Sequence, residues 1–258
     1  FGAEGVWVSV FTAISAFCNA GFDLFGRFGA YSSLVPYVNN YYVQAVIMFM
    51  IMAGGLGFMV WVELAEYRKK RRLSLHAKVV LQFSVIFWVG GAVLLALLEW
   101  SNPRTMGGLS VPGKIMAALF QSVSTRTAGM NTIDLAACSP ISKLLMSVLQ
   151  FIGAAPGSTG GGVKVTTFAV LILTIRSVAQ GRDDCVIGGH HIESKTVYRA
   201  LTIIVIGAVA AFGSAVVVYY NTAETVSVID CIFESCSAFG TVGLSVGVTG
   251  QLLSLIHI

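Results

Sequence analysis

Apolar stretches long enough to cross a lipid bilayer recur along the chain. Uncharged segments occupy residues 41–62, 79–98, 144–163 and 200–223. A membrane-spanning helix needs roughly 20 consecutive apolar residues, and each segment reaches that length. The composition agrees, because 56% of the residues are hydrophobic and only 11% are charged. The pattern predicts an all-α polytopic membrane protein.

One polar pattern interrupts the apolar background three times. It reads SAFCNAGF from Ser15, SAFGTVGL from Ser237 and, one residue shorter, STRTAGM from Ser124. The glycines of the pattern are roughly 110 positions apart, which indicates copies of one structural unit. Each copy ends a stretch of about three helical turns, too short to cross a bilayer. The sequence therefore predicts repeated helix–pore-loop–helix units around a central pore.

The chemistry of such turns suits a bare cation. A half-helix that ends inside the membrane directs its carbonyl end, with a partial negative charge, toward the pore. The turn that follows can offer backbone carbonyl groups in place of the water around an ion. Glycine permits the backbone conformations that this requires. A helix break with a packing role only is the alternative for a single copy, but three copies at one phase favour a filter.

Lys and Arg residues are concentrated in two segments. One holds the run RKKRR at 68–72 together with Lys78, and the other extends from Arg176 to Arg199. By the positive-inside rule both segments are cytoplasmic, so a span from Tyr41 to about Tyr67 runs inward. A nucleic-acid or anionic-lipid patch is the alternative for the run at 68–72.

Several segments resemble one family. SAFCNAGFDLFG, FQSVSTRTAGMNTID and FESCSAFGTVGLSVGVTG are similar to the second, third and fourth pore segments of the Trk/Ktr/HKT superfamily of potassium transporters. RRLSLHAKVVL, APGSTGGGVKVTTFAVL and the TVGLS form of the last turn resemble the Ktr branch, its potassium-translocating membrane subunit. The resemblance covers nearly all of residues 1–252.

The resemblance implies four units in one chain, each contributing one filter glycine and the carbonyls beside it. Carried over residue by residue, it gives nine filter positions in this sequence. They are Asn19, Ala20 and Gly21; Thr127, Ala128 and Gly129; and Thr241, Val242 and Gly243.

Polar residues near the turns are candidates for supporting the filter. Arg126, Asn131 and Asp134 lie beside the middle turn, and Glu234 occupies the position that Gln121 holds in the repeat. A charge at membrane depth is costly and is usually paired. We expect Arg126 to brace the filter through Asp134 or Glu234, the alternative being a salt bridge at the outer surface.

A glycine-rich run lies within the third apolar stretch. Pro156 and five glycines between Gly153 and Gly162 cannot continue a helix. The run lacks the Gly-Lys-Ser/Thr end of a phosphate loop. In the resembled family the equivalent loop is a gate beneath the filter, whereas a packing kink is the alternative. The implied gate residues are Gly157, Ser158, Thr159, Gly160, Gly161, Gly162 and Lys164.

The repeat and the resemblance together divide the chain into units. Residues 1–67 are predicted to be the second pore unit without its first helix, 68–77 a cytoplasmic loop, and 78–179 a complete third unit. A second cytoplasmic loop follows at 180–195, and 196–252 form the fourth unit without its last helix. Residues 253–258 resemble a translated sequencing adapter, and we expect them to lie outside the fold.

The function that the resemblance implies is potassium uptake across a bacterial cell membrane by a multi-pass protein in the lipid bilayer. Potassium is the expected substrate and the only expected metal, sodium is a candidate activator, and no covalent cofactor is expected. A cytosolic RCK-type nucleotide-binding regulatory subunit and a homodimer are the implied partners, without nucleic acid. A Trk- or HKT-type potassium or sodium transporter is the alternative within the superfamily. An intramembrane enzyme, for which no HExxH motif is present, and an inert gene fragment are the others.

Overall fold

The computed structural model describes residues 2–28, 32–181, 185–187, 190–222 and 226–251. Nine α-helices and one short antiparallel hairpin lie within these residues, which confirms the predicted all-α class. The helices are α1 Gly2–Phe17, α2 Tyr41–Gly55, α3 Phe58–Lys70, α4 Leu75–Glu99, α5 Val111–Ser124, α6 Pro140–Phe151, α7 Val165–Ala179, α8 Ser194–Asn221 and α9 Val228–Phe239. The strands are β1 Cys185–Ile187 and β2 His190–Ile192. The predicted adapter segment 253–258 lies outside the described residues, and the assignment of helices to pore units stays a prediction.

Two helices cross the molecule without interruption. α4 and α8 have 25 and 28 residues and are long and apolar enough to span a membrane. Many of their large apolar side chains face outward, as on α8, where Val209 is 69% exposed. In lipid such outward apolar surface is the rule, because there is no water to avoid. The Ser74 side chain caps the start of α4 by accepting a hydrogen bond from Ala77 N.

Three shorter helices end near one another inside the molecule. α1, α5 and α9 have 16, 14 and 12 residues, close to the extents that the sequence predicts for the half-helices. α5 begins with Ser110 as its cap and Pro112 in its first turn, both of which favour a helix start. α5 packs between α4 and α2, while α9 packs between α6 and α8. Each half-helix is therefore held in place by longer or neighbouring helices, α1 by α2, α5 by α4 and α2, and α9 by α8 and α6.

The segment predicted to span the membrane from Tyr41 to about Tyr67 is not one straight helix. The helix breaks after Gly55, and α3 continues at 99° to α2. Gly57 adopts φ +86°, which a side chain would make unfavourable. Gly55 O accepts a hydrogen bond from Ala155 N, so the carbonyl freed by the break finds a partner in a distant segment.

The helix break predicted at 153–162 is present. α6 ends at Phe151, α7 begins at Val165, and the chain between them forms an irregular excursion. Its two ends are joined, because Gly153 N donates to Val163 O and Val163 N donates to Phe151 O. We call residues Gly153–Gly162 the glycine segment. The break in α2–α3 and the glycine segment meet, and both contact the end of α1 at Phe17 O.

Candidate functional site

The three predicted glycine turns converge on one point. A Cβ atom placed on Gly21 would lie 3.1 Å from Ala128 O, 3.2 Å from Gly129 Cα and 3.2 Å from Val242 O. A Cβ on Gly129 would lie 2.2 Å from Val242 O. Gly243 is slightly more open, since its nearest such neighbour is Gly129 Cα at 3.9 Å. Side chains at Gly21 and Gly129 would therefore collide with main-chain atoms of neighbouring turns, including carbonyl oxygens.

The turns share one backbone conformation. The glycines have φ of +76°, +76° and +88°, in chain order. The residue two places before each glycine is also left-handed, with φ of +50° at Asn19, +81° at Thr127 and +54° at Thr241. This conformation costs a residue with a side chain roughly 1–2 kcal/mol. Strain of this kind, repeated at three equivalent positions, is typical of functional sites.

Each turn is tied back to the end of its own half-helix. The amide before each glycine donates to the carbonyl of the serine that opens the repeated pattern: Ala20 to Ser15, Ala128 to Ser124 and Val242 to Ser237. These bonds measure 2.9, 2.9 and 2.8 Å. They place the negative ends of α1, α5 and α9 against the turns, where a cation would be favoured.

Two of these serines also hold the residue after the glycine through their side chains. Ser237 Oγ donates to Leu244 O at 2.6 Å, and Ser124 Oγ bonds both Met130 O and Met130 N. No role was predicted for these serines from the sequence. Their recurrence at the head of all three copies was the signal that could have found them.

The glycine segment contacts the three turns with three successive residues. Thr159 Oγ1 accepts from Asn19 Nδ2 at 2.8 Å and donates to Phe17 O at 3.1 Å. A Cβ on Gly160 would lie 2.2 Å from Thr127 Oγ1. A Cβ on Gly161 would lie 2.1 Å from Thr241 Oγ1. The segment thus lies against the left-handed residue that precedes the glycine in every turn.

The other predicted gate residues lie at the tip of the segment, at its root or just after it. Lys164 Nζ donates to Gly160 O at 2.6 Å, which fixes the carbonyl next to the Thr159 contact. Ser158 Oγ donates to Ala155 O. Gly157 and Gly162 adopt φ of +68° and +66°, and Gly157 O accepts from Phe58 N.

Arg126 is buried, but the expected pairing with Asp134 or Glu234 is wrong. Its Nη2 donates to Gly153 O at 2.8 Å. The guanidinium lies over the rings of Phe87 and Trp88, with its Cζ 5.3 and 5.8 Å from their centroids. Aromatic faces and a carbonyl stabilise a buried cation without a carboxylate. Arg126 therefore joins the Gly129 turn to the base of the glycine segment.

The remaining candidate supports have separate partners. Asn131 Nδ2 donates to Ile133 O, and Asp134 Oδ1 accepts from Ala136 N, so both organise the loop after the Gly129 turn. Glu234 is buried beside the Gly243 turn and accepts hydrogen bonds from four groups. They are Ser245 Oγ, Val246 N, Val248 N and Thr249 Oγ1. Gln121, its counterpart in the repeat, has no such partners for either side-chain atom.

Comparison with known proteins agrees with this architecture. The family model TrkH, a cation transport protein, matches residues 2–256. The potassium/sodium uptake protein NtpJ of Enterococcus hirae is 36% identical over 252 residues, which are 97% of this chain and 54% of that protein. The Ktr system potassium uptake protein B of Vibrio alginolyticus is 38% identical over 250 residues, or 96% of this chain and 53% of that protein. The chain spans about half the length of these relatives.

A solved structure supports the fold independently. The potassium transporter TrkH of Vibrio parahaemolyticus superposes with a TM-score of 0.66 at 15% identity, over 99% of this chain and 63% of that one. These relatives are named as transport or uptake proteins, not as enzymes. The resemblance found in the sequence is confirmed, and the chain belongs to the TrkH family of cation transport proteins.

Proposed function

We propose that this chain contributes three glycine turns to the selectivity filter of a potassium uptake protein in a bacterial cell membrane. The observation that carries the proposal is the convergence of Gly21, Gly129 and Gly243 at the ends of three half-helices. Main-chain oxygens at such a point replace the water around a monovalent cation. The half-helix ends add a favourable electrostatic field.

Potassium is the first choice of substrate, and sodium is the second. The named relatives are potassium uptake proteins, and one of them is named for both ions. Glycine at all three turns leaves the ion facing main-chain oxygens and no carboxylate. Sodium enters the proposal as a competing substrate or as an activator, which flux measurements with each ion separate.

The glycine segment is the proposed gate. Three of its successive residues contact the three turns at Asn19, Thr127 and Thr241, and these contacts support a position of the segment in the path that an ion would take beyond the filter. Its irregular backbone would be unfavourable in lipid and suits a water-lined cavity. Movement of the segment away from Thr127 and Thr241 would open this path.

The basic loops indicate how the protein assembles. They place one end of the fold in the cytoplasm, where an RCK-type nucleotide-binding subunit would dock and control the gate. A homodimer of the full-length membrane subunit is part of the same proposal.

The experiment uses the full-length protein that contains this sequence, reconstituted in liposomes with a potassium gradient. We expect potassium uptake that exceeds sodium uptake, and Gly129→Ser and Gly243→Ser should reduce the rate or the preference while the protein still inserts. Unchanged rate and preference in both variants would contradict the filter assignment.

A second measurement tests the gate. Gly160→Ala places a methyl group against Thr127 Oγ1 and should displace the glycine segment, which raises ion leak without the regulatory subunit. Deletion of Gly157–Gly162 should raise leak further. Gly90→Ala in α4 is the matched control, because a Cβ there meets nothing within 4 Å. Equal leak in all three proteins would contradict a gating role.

A further inference from the structure

α3 runs across the fold where the sequence predicts a continued span. It leaves α2 at 99°, and Trp61 Nε1 donates to Ala53 O at 2.8 Å, which holds the bend by capping a carbonyl freed at the break. If α2 is close to the membrane normal, α3 is close to the membrane plane. Its far end meets the basic run before α4, at the cytoplasmic boundary.

The surface of α3 divides into three stripes at helical spacing. Val60 and Leu64 pack against α4 in the core. A polar stripe carries Glu63 and Glu66, which are engaged with Ser74 and Lys70 respectively. The third stripe is apolar and faces outward: Phe58 is 72% exposed, Trp61 39% and Val62 56%.

The apolar stripe continues into positive charge. Residues 58, 62, 65 and 69 follow one another at spacings of four, three and four, so Lys69 lies in line with Phe58 and Val62. Arg68 precedes Lys69 at the end of α3, Arg72 follows the left-handed cap Arg71, and all three cations are exposed. No carboxylate among the described residues pairs with any of these three cations.

We propose that the outward stripe of residues 58–72 binds anionic phospholipid of the cytoplasmic leaflet. Acyl chains would cover Phe58, Trp61 and Val62, while the phosphate of the headgroup would meet Arg68, Lys69 and Arg72. Apolar side chains that lead directly into a cluster of Lys and Arg match the order of groups in one lipid molecule. An acidic protein surface would match the cations but would leave the apolar stripe uncovered.

The same helix is bonded to the glycine segment. Phe58 N, at the first residue of α3, donates to Gly157 O at 3.0 Å. Across the break, Gly54 O accepts from Thr159 N and Gly55 O accepts from Ala155 N. A Cβ on Gly57 would lie 2.5 Å from Pro156 O, so the two breaks are in close contact. Lipid that fixes α3 therefore also restrains the glycine segment. An effect of this restraint on potassium flux rests on the proposed function of the segment as a gate.

Lipid retention tests the binding surface. The full-length protein is reconstituted with phosphatidylcholine and phosphatidylglycerol, extracted, and analysed by native mass spectrometry for bound lipid. The variant R68Q/K69Q/R72Q should lose preferential phosphatidylglycerol binding by roughly tenfold or more. The matched control R176Q/K195Q/R199Q removes the same charge from the other basic segment and should keep the preference.

Three outcomes would overturn the proposal. In the first, both variants retain phosphatidylglycerol equally well, and in the second, both lose it equally. In the third, R68Q/K69Q/R72Q keeps the lipid but no longer binds a cytosolic protein partner. The last result would make the stripe a protein docking surface.

Potassium flux tests the link to the glycine segment. Wild-type flux should differ between liposomes with and without phosphatidylglycerol, and R68Q/K69Q/R72Q should abolish the difference. If lipid is retained but wild-type flux is the same in both lipids, the coupling between lipid and the glycine segment is refuted, while the lipid-binding surface stands. Absence of potassium flux from every protein in both lipids would instead refute the proposed function, while the retention experiment still decides the lipid site.

Discussion

The Gly21 and Gly243 turns have the same backbone and different support. Both are left-handed at the glycine and two residues before it. Around the Gly243 turn, Ser237 and Glu234 bond the chain that follows the glycine. In the Gly21 turn the corresponding Ser15 and Thr12 hydroxyls are buried without a hydrogen-bond partner. The repeat therefore sets the main-chain path, while side-chain support differs from copy to copy.

The Gly129 turn has more side-chain hydrogen bonds than the Gly21 turn and fewer than the Gly243 turn. Ser124 bonds Met130 as Ser237 bonds Leu244, but Gln121 lacks the hydrogen bonds that Glu234 accepts. A buried polar atom without a partner costs free energy. Each copy therefore contributes a different amount to the stability of the site.

The largest expected effect comes from Gly129→Ala. The methyl group would lie 2.2 Å from Val242 O, so overpacking adds to the left-handed strain, and the total cost is roughly 2–5 kcal/mol. Gly243→Ala carries the same strain without the collision and should cost roughly 1–2 kcal/mol. Thermal unfolding in detergent and potassium flux should rank the variants in this order. A reversed order would show that the turns do not meet as described.

The next largest loss of stability is expected for Glu234→Ala, in contrast to Gln121→Ala. Glu234→Ala would leave Val246 N and Val248 N buried without an acceptor and should cost about 3 kcal/mol. Gln121→Ala removes no hydrogen bond and serves as the control. Amide hydrogen exchange should rise at 245–249 in the first variant only. Similar amide exchange at 245–249 in both variants would show that Glu234 and Gln121 support their turns equally.

The smallest effect separates the serines. Ser237→Ala loses the hydrogen bond to Leu244 O and should cost about 1 kcal/mol. Ser15→Ala loses none and should be neutral or slightly stabilising, because it removes an unpartnered buried hydroxyl. Midpoints of thermal unfolding measured side by side decide the point, and equal losses would mean that Ser15 has a partner in the assembled protein.

Sequence reasoning identified the features that depend on local pattern. Gly21, Gly129 and Gly243 were found from the repeat, and α4 and α8 contain the apolar stretches 79–98 and, up to Asn221, 200–223. Hydrophobic length and glycine spacing are properties of the chain itself, so they need no knowledge of distant contacts.

The features that were missed depend on partners far along the chain. The bend after Gly55 is stabilised by Ala155 N and Thr159 N, about a hundred positions away, and an apolar GGLG run gives no sign of them. Arg126 bonds a main-chain carbonyl at Gly153, and every residue has one, so no residue type marks that partner. Charge pairing was a reasonable expectation for Arg126, but aromatic rings and a carbonyl occupy its surroundings instead.

The joined ends of the glycine segment have a mechanical consequence. Because Gly153 N donates a hydrogen bond to Val163 O, the excursion between α6 and α7 is a loop whose two ends are held together. Its tip is held separately, through Phe58 N at Gly157 O and Gly54 O at Thr159 N, so displacing the tip breaks those hydrogen bonds and leaves the pair at the root intact. A loop closed in this way can change its length at the tip during evolution while α6 and α7 keep their packing.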